Sequence, residues 1–175
     1  SVPSGASTGQ KEALELRDGE KEFGGQGVNI AIKNVNNVLA KLLEGKNVYN
    51  QEEIDQIMID ADGSEFKSNL GANAILSVSL AVAKAGARAM KIPLHQYFNN
   101  MYENISGNET DQVLPTPMLN ILNGGEHADN NIDLQEFMII PCADSFSESI
   151  RWASEIYWKL KELLKAQNLS TAVGD

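Results

Sequence analysis

The chain has 175 residues, 42% of them hydrophobic, with 24 acidic residues against 14 Lys and Arg and a formal net charge of −10. That length suits one domain, or one small domain plus part of another. The acidity, with no Lys/Arg cluster, excludes a duplex nucleic-acid binder and disfavours anionic membrane surfaces. The single cysteine, Cys142, excludes an intrachain disulfide and a thiolate metal site, and it reads as a small buried hydrophobe after a strand. A reducing, cytoplasmic compartment fits, and no apolar run is long enough to span a bilayer. An acidic protein that handles an anionic substrate usually needs a metal ion to supply positive charge.

In chain order, residues 1–9 (Ser-Val-Pro-Ser-Gly-Ala-Ser-Thr-Gly) are small, with four hydroxyls and two glycines. Residues 11–17 read as a short strand, with Leu14 and Leu16 on one face and Glu15 and Arg17 on the other. Asp18-Gly19 closes it as a turn, and residues 24–27 are a flexible connector. Residues 28–43 read as a helix, with Ile32, Val35, Val38, Leu39 and Leu42 at helical spacing and Gly45 past its end. Asn50 is placed to cap a second helix, with Glu52 and Glu53 in its first turn. Its apolar face is Ile54, Ile57 and Met58, and Asp62-Gly63 ends it. Residues 70–90 form a third helix, whose many small side chains imply close packing, and residues 94–102 a short fourth one.

Residues 104–116 are a polar connector between a first region, 1–103, and a second, 117–175. In the second, residues 118–122 are a short apolar run into Asn123-Gly124-Gly125, and residues 134–140 are a strand ending at Pro141. Residues 145–167 form a long amphipathic helix with Ile150, Ala153, Ile156, Tyr157, Leu160, Leu163 and Leu164 inward. Residues 172–175 look like the start of another strand. This order suits an α/β sheet or barrel that is unfinished within these residues.

Four constellations could carry chemistry. Residues 1–9 could bring hydroxyls and amides to an anion or a metal, or be a flexible linker end. They are not a Walker loop: Gly5 and Gly9 stand one residue too close, and Gln10 holds the Lys position. His127 follows Gly124-Gly125 at the end of a strand, where a βα barrel has its active site; the bland alternative is a satisfied surface or core histidine. Glu136 interrupts an apolar strand, so it either has a partner, lies at the strand end, or belongs to a half-exposed alternation. Glu52, Glu53, Asp55, Asp60, Asp62 and Glu65 read as solvated helix faces and ends.

Together these segments resemble the enolase family. Residues 1–9 resemble its mobile catalytic loop, and residues 12–19 the strand that follows. Residues 71–81 resemble its long helix. Asn123-Gly124-Gly125, His127-Ala128 and Gln135-Glu136-Phe137-Met138 resemble the first barrel strands, and Val173-Gly174-Asp175 the start of a further motif. The resemblance implies an α+β N-terminal capping domain, mostly its helical part, followed by the first strands and helix of a TIM-like barrel. It implies a glycolytic lyase that interconverts 2-phosphoglycerate and phosphoenolpyruvate with two Mg²⁺ ions, as a cytoplasmic homodimer or larger homo-oligomer, with cell-surface display in some members. It further implies that Ser4 ligates the second Mg²⁺. His127 then contacts the substrate phosphate or seals the site, Gln135 contacts substrate, and Glu136 assists the leaving hydroxyl. Glu126 stands where the family pattern has serine and receives no role. On this resemblance the chain is an internal segment, expected to be inactive alone and either partly disordered or self-associating. A non-catalytic binding or structural piece is the alternative.

Overall fold

The computed structural model describes residues 2–5 and 7–171; the strand expected at residues 172–175 lies outside them. The chain divides into two compact units, Ser1–Gln112 and Val113–Asp175.

The first unit is helical. The predicted helix at 28–43 forms as α1 (Asn29–Asn34), one π turn (Val35–Leu39) and α2 (Ala40–Leu43). The cap of α1 comes from a distance. Asp18 Oδ2 accepts from Asn29 N at 2.9 Å and Oδ1 from Ile30 N at 2.8 Å. The amide of Ile30 and those around it hold the Asp18 carboxyl below the usual aspartate value. α3 (Gln51–Asp62) begins after Asn50, as expected, and stops at Gly63, which is left-handed at φ 66°. The Asn50 side chain does not cap the helix backbone; its Nδ2 donates to Glu53 Oε2 at 3.1 Å.

α4 (Ala72–Met90) and α5 (Leu94–Ser106) follow. α5 runs four residues past the expected end at 102. Ile105 continues the spacing of Phe98, Met101 and Tyr102, and the helix stops only where Gly107 turns left-handed. Leu39 and Met58 are fully buried, packed with Ala31, Ile54, Leu70, Ala74 and Ile75. A second cluster joins Ala83 and Ala87 to Tyr97. A Cβ on Gly86 would stand 2.9 Å from Tyr97 Oη, so the small residues of α4 do admit close packing.

Residues 11–17 are not a strand. Their bonds go to a loop, to the start of a helix and to a side chain. Leu14 N donates to Phe66 O at 2.7 Å, and Ala72 N donates to Leu14 O at 2.8 Å. Asn73 takes both polar groups of Leu16: Oδ1 accepts from Leu16 N at 3.2 Å, and Nδ2 donates to Leu16 O at 3.0 Å. A side-chain amide thus substitutes for a neighbouring strand.

In the second unit, β1 (Leu119–Asn123) pairs antiparallel with β2 (Glu136–Ile139). Leu119 faces Ile139, Asn120 faces Met138, Leu122 faces Phe137 and Asn123 faces Glu136, with a bulge between Asn120 and Leu122. α6 (Phe146–Ala166) is capped by Ser145, whose Oγ accepts from Glu148 N at 3.2 Å. Of its expected inward residues only Ala153 is buried. Tyr157, Leu160 and Leu164 are half-buried, while Ile150, Ile156 and Leu163 are exposed. A two-stranded sheet is too narrow to cover seven positions of a long helix. Cys142 is exposed rather than buried; the buried residue of the link after β2 is its neighbour Pro141. Among the described residues, no helix is long and apolar enough to cross a membrane.

Candidate active site

The link between β1 and β2 is folded around two glycines. A Cβ on Gly124 would stand 2.5 Å from the carbonyl oxygens of both Ile132 and Leu134, so only glycine fits there. Gly124 N donates to Gln135 O at 3.0 Å and Gly125 N to Ile132 O at 2.7 Å. These bonds fold the link back on itself and start a 3₁₀ turn, Gly125–His127. Asn130 braces the far side, with Nδ2 donating to Asn123 O at 3.0 Å and Oδ1 accepting from Ile132 N at 2.9 Å.

This folding brings the His127 ring to the first residue of β2. His127 Nδ1 lies 3.0 Å from Glu136 Oε1, with the two side chains 24% and 33% exposed. His127 Nε2 lies 3.2 Å from Gln135 Nε2. With Gln135 donating, Nε2 is the acceptor and Nδ1–H donates to the carboxylate, which fixes tautomer and ring orientation together. Glu136 therefore has a partner and also sits at the strand end. His127, Gln135 and Glu136, read separately from the sequence, form one cluster that is open to solvent on one side. A carboxylate and an oriented imidazole can accept or deliver a proton, and a protonated ring can hold an anion. Glu126 beside them is exposed.

Ser4 belongs to the first unit, where it is half-buried. Its backbone N–H donates to Glu15 Oε2 at 2.9 Å. Glu15 also pairs with Arg17, whose Nη1 donates to Gln26 O at 2.7 Å. Glu15 and Arg17 carried no signal beyond strand alternation, so this network was not legible in the sequence.

Asp62 is not solvated, as its place at a helix end suggested; it is 3% exposed. Its carboxylate accepts from Ser64 N at 3.0 Å, Asn69 N at 3.1 Å and Leu70 N at 2.7 Å, and from Ser64 Oγ. Burial pushes its carboxyl up, but these donors outweigh it and the net shift is downward. It organises the loop between α3 and α4. Among the described residues, no group of three His, Cys, Asp or Glu is placed to hold a metal ion.

Two family models match the chain in succession. The enolase N-terminal domain matches residues 1–98, and the enolase C-terminal TIM barrel domain matches residues 111–175. The first takes in the Ser4 loop and the helices built on it, and the second the whole of the His127–Glu136 cluster. With only residues 99–110 outside the two matches, the chain belongs to the enolase family.

Proposed function

We propose that the chain is a segment of an enolase that dehydrates 2-phosphoglycerate reversibly to phosphoenolpyruvate, and that it supplies part of that active site. The observation that carries this reading is the contact of His127 with Glu136 and Gln135. Dehydration needs a proton delivered to a poor leaving group; a protonated His127 ring can pass its Nδ1 proton to Glu136, and the Glu136 carboxylic acid then passes it to the departing hydroxyl, which leaves as water. Glu136 takes the leaving-hydroxyl end of the substrate. Gln135 orients substrate through its amide, and the protonated His127 ring, whose Nε2–H no longer accepts from Gln135, donates that N–H to the phosphate. In this reading the second unit opens a TIM-like barrel with an antiparallel pair, the parent is a cytoplasmic homodimer or larger homo-oligomer, and both Mg²⁺ ions take part.

Ser4 offers a hydroxyl and a backbone carbonyl, hard oxygens of the type Mg²⁺ takes. It fits as one ligand of the second Mg²⁺. When bound, Mg²⁺ supplies Lewis-acid stabilisation of the negative charge that builds up on the substrate carboxylate. The chain alone is expected to be inactive.

The test is a graft. These 175 residues replace the matching segment of an active enolase, and phosphoenolpyruvate formation is followed. Turnover is expected, falling about a hundredfold or more in Glu136→Gln. A graft that folds and assembles but gives no product overturns the assignment. Product from the unaltered chain alone overturns its inactivity.

A further inference from the structure

We propose that Glu15 is the positioning residue for the loop that carries Ser4. Its carboxylate is divided between two tasks: Oε1 pairs with Arg17, and Oε2 accepts the N–H of Ser4 at 2.9 Å. Both ends of the pair are anchored. Arg17 Nη1 is fixed on Gln26 O at 2.7 Å, within a loop closed by Asp18 N donating to Gly27 O at 2.8 Å. The backbone of Glu15 is gripped from each side, by the bonds of Leu14 to Phe66 and Ala72 and those of Leu16 to Asn73. The carboxylate therefore has little freedom, and a bond to it places the residue that makes it.

The far end of the loop closes in a local turn, with Gly9 N donating to Glu12 Oε2 at 2.9 Å and Glu12 N to Gly9 O at 3.1 Å. Val2 and Pro3 line a cavity of about 420 Å³ together with Val28, Ile32 and Val35. A segment over unfilled space forfeits few packing contacts when it lifts, so the charge-assisted bond at Ser4 supplies a restraint that packing at Val2 and Pro3 does not. The tether grips a backbone atom and leaves the Ser4 hydroxyl out of the bond. The loop is held while the side chain stays available, and that matters for catalysis only if the hydroxyl is a metal ligand, as proposed above.

The test is hydrogen exchange of the residue 4 amide, read by NMR in the full 175-residue chain without metal or substrate. In the unaltered chain this amide is expected to exchange about tenfold more slowly than a free peptide. Glu15→Ala should remove that protection, while Glu15→Gln, which keeps an acceptor oxygen, should restore several-fold of it. Ser4→Ala should leave it intact, and the Ile75 amide of α4 should be unchanged in every variant. Free-peptide exchange at residue 4 in the unaltered chain overturns the proposal without any variant having to fold. So does unchanged protection in Glu15→Ala, or a loss shared with Ile75. Because no metal is present, failure of the Ser4 metal assignment would appear only in the graft, where Ser4→Ala would then leave turnover intact.

Discussion

In the first unit Leu39 and Met58 have no exposed surface, five further hydrophobic side chains are buried around them and three more form a second cluster; in the second, Ala153 and Pro141 are the buried apolar side chains among the described residues, and Trp158 of α6 is 61% exposed. Yet both units carry helices of the same amphipathic pattern. Periodicity locates an apolar face, but coverage depends on whether another layer lies over it. α4 finds α3 on one part of its length and α5 on another. α6 has a narrow sheet for company, and between them runs a cavity of about 630 Å³ bounded by residues such as Leu122, Ile132, Tyr157 and Leu160.

The sharpest way to break this comparison is to truncate the same kind of side chain in each unit. Leu39→Ala should cost about 3–5 kcal/mol by chemical denaturation, since Leu39 is fully enclosed. Ile156→Ala, at 43% exposure, should cost under about 1 kcal/mol. Equal losses would mean that α6 is as well covered in solution as the first unit's core.

Next in size is the polar centre of the first unit. Asp62→Asn places an amide against the N–H groups of Asn69 and Leu70, and should cost about 3 kcal/mol. The same group gives a pH dependence. Its folded carboxyl titrates below the ordinary 3.8, so the unfolded chain binds its proton first as pH falls. The stabilisation is complete above that value and is lost as pH drops through the folded one. Acid titration followed at α3 and α4 should show this loss, and Asp62→Asn should flatten it. Asp18, shifted in the same direction, adds to the slope at α1.

A smaller effect than that of Asp62→Asn is expected at the turn of the second unit. Gly124→Ala drives a methyl against two carbonyl oxygens and should cost about 2 kcal/mol there. It should also shift the His127 ring resonances, while the amides of the first unit stay where they are. Unmoved His127 resonances would mean that the turn does not place the ring.

The sequence disclosed what is decided locally. Gly63 ends α3 by a left-handed angle that glycine takes without a clash, and the 3.6-residue spacing of apolar side chains after residue 145 marks out α6. It misled where the deciding partner is remote. Residues 11–17 alternate like a strand, but strand identity needs a neighbouring strand, and Asn73, 57 positions from Leu16, supplies the bonds instead. Asp62 looked like any acidic helix end because its donors come from a loop that folds back over it. At the site, His127, Gln135 and Glu136 stood out as residue types, whereas the contact among them arises from the turn at Gly124. Glu15 had no local signal, since its task is to receive an amide eleven residues earlier in the chain.

The bulge in β1 has a bearing on this site. Five residues of that strand lie opposite four of β2, so Ile121 is supernumerary to the ladder. In an unbroken strand, residues three apart point to opposite faces, yet Asn120 Nδ2 donates to Asn123 Oδ1. The extra residue restores the parity of the strand, putting both asparagines on one side and leaving Asn123 opposite Glu136. Shortening β1 by that one residue would keep the same side chains facing the same way. Shortening it by one anywhere else would exchange its faces beyond that point and turn the far end of the strand away from the histidine cluster.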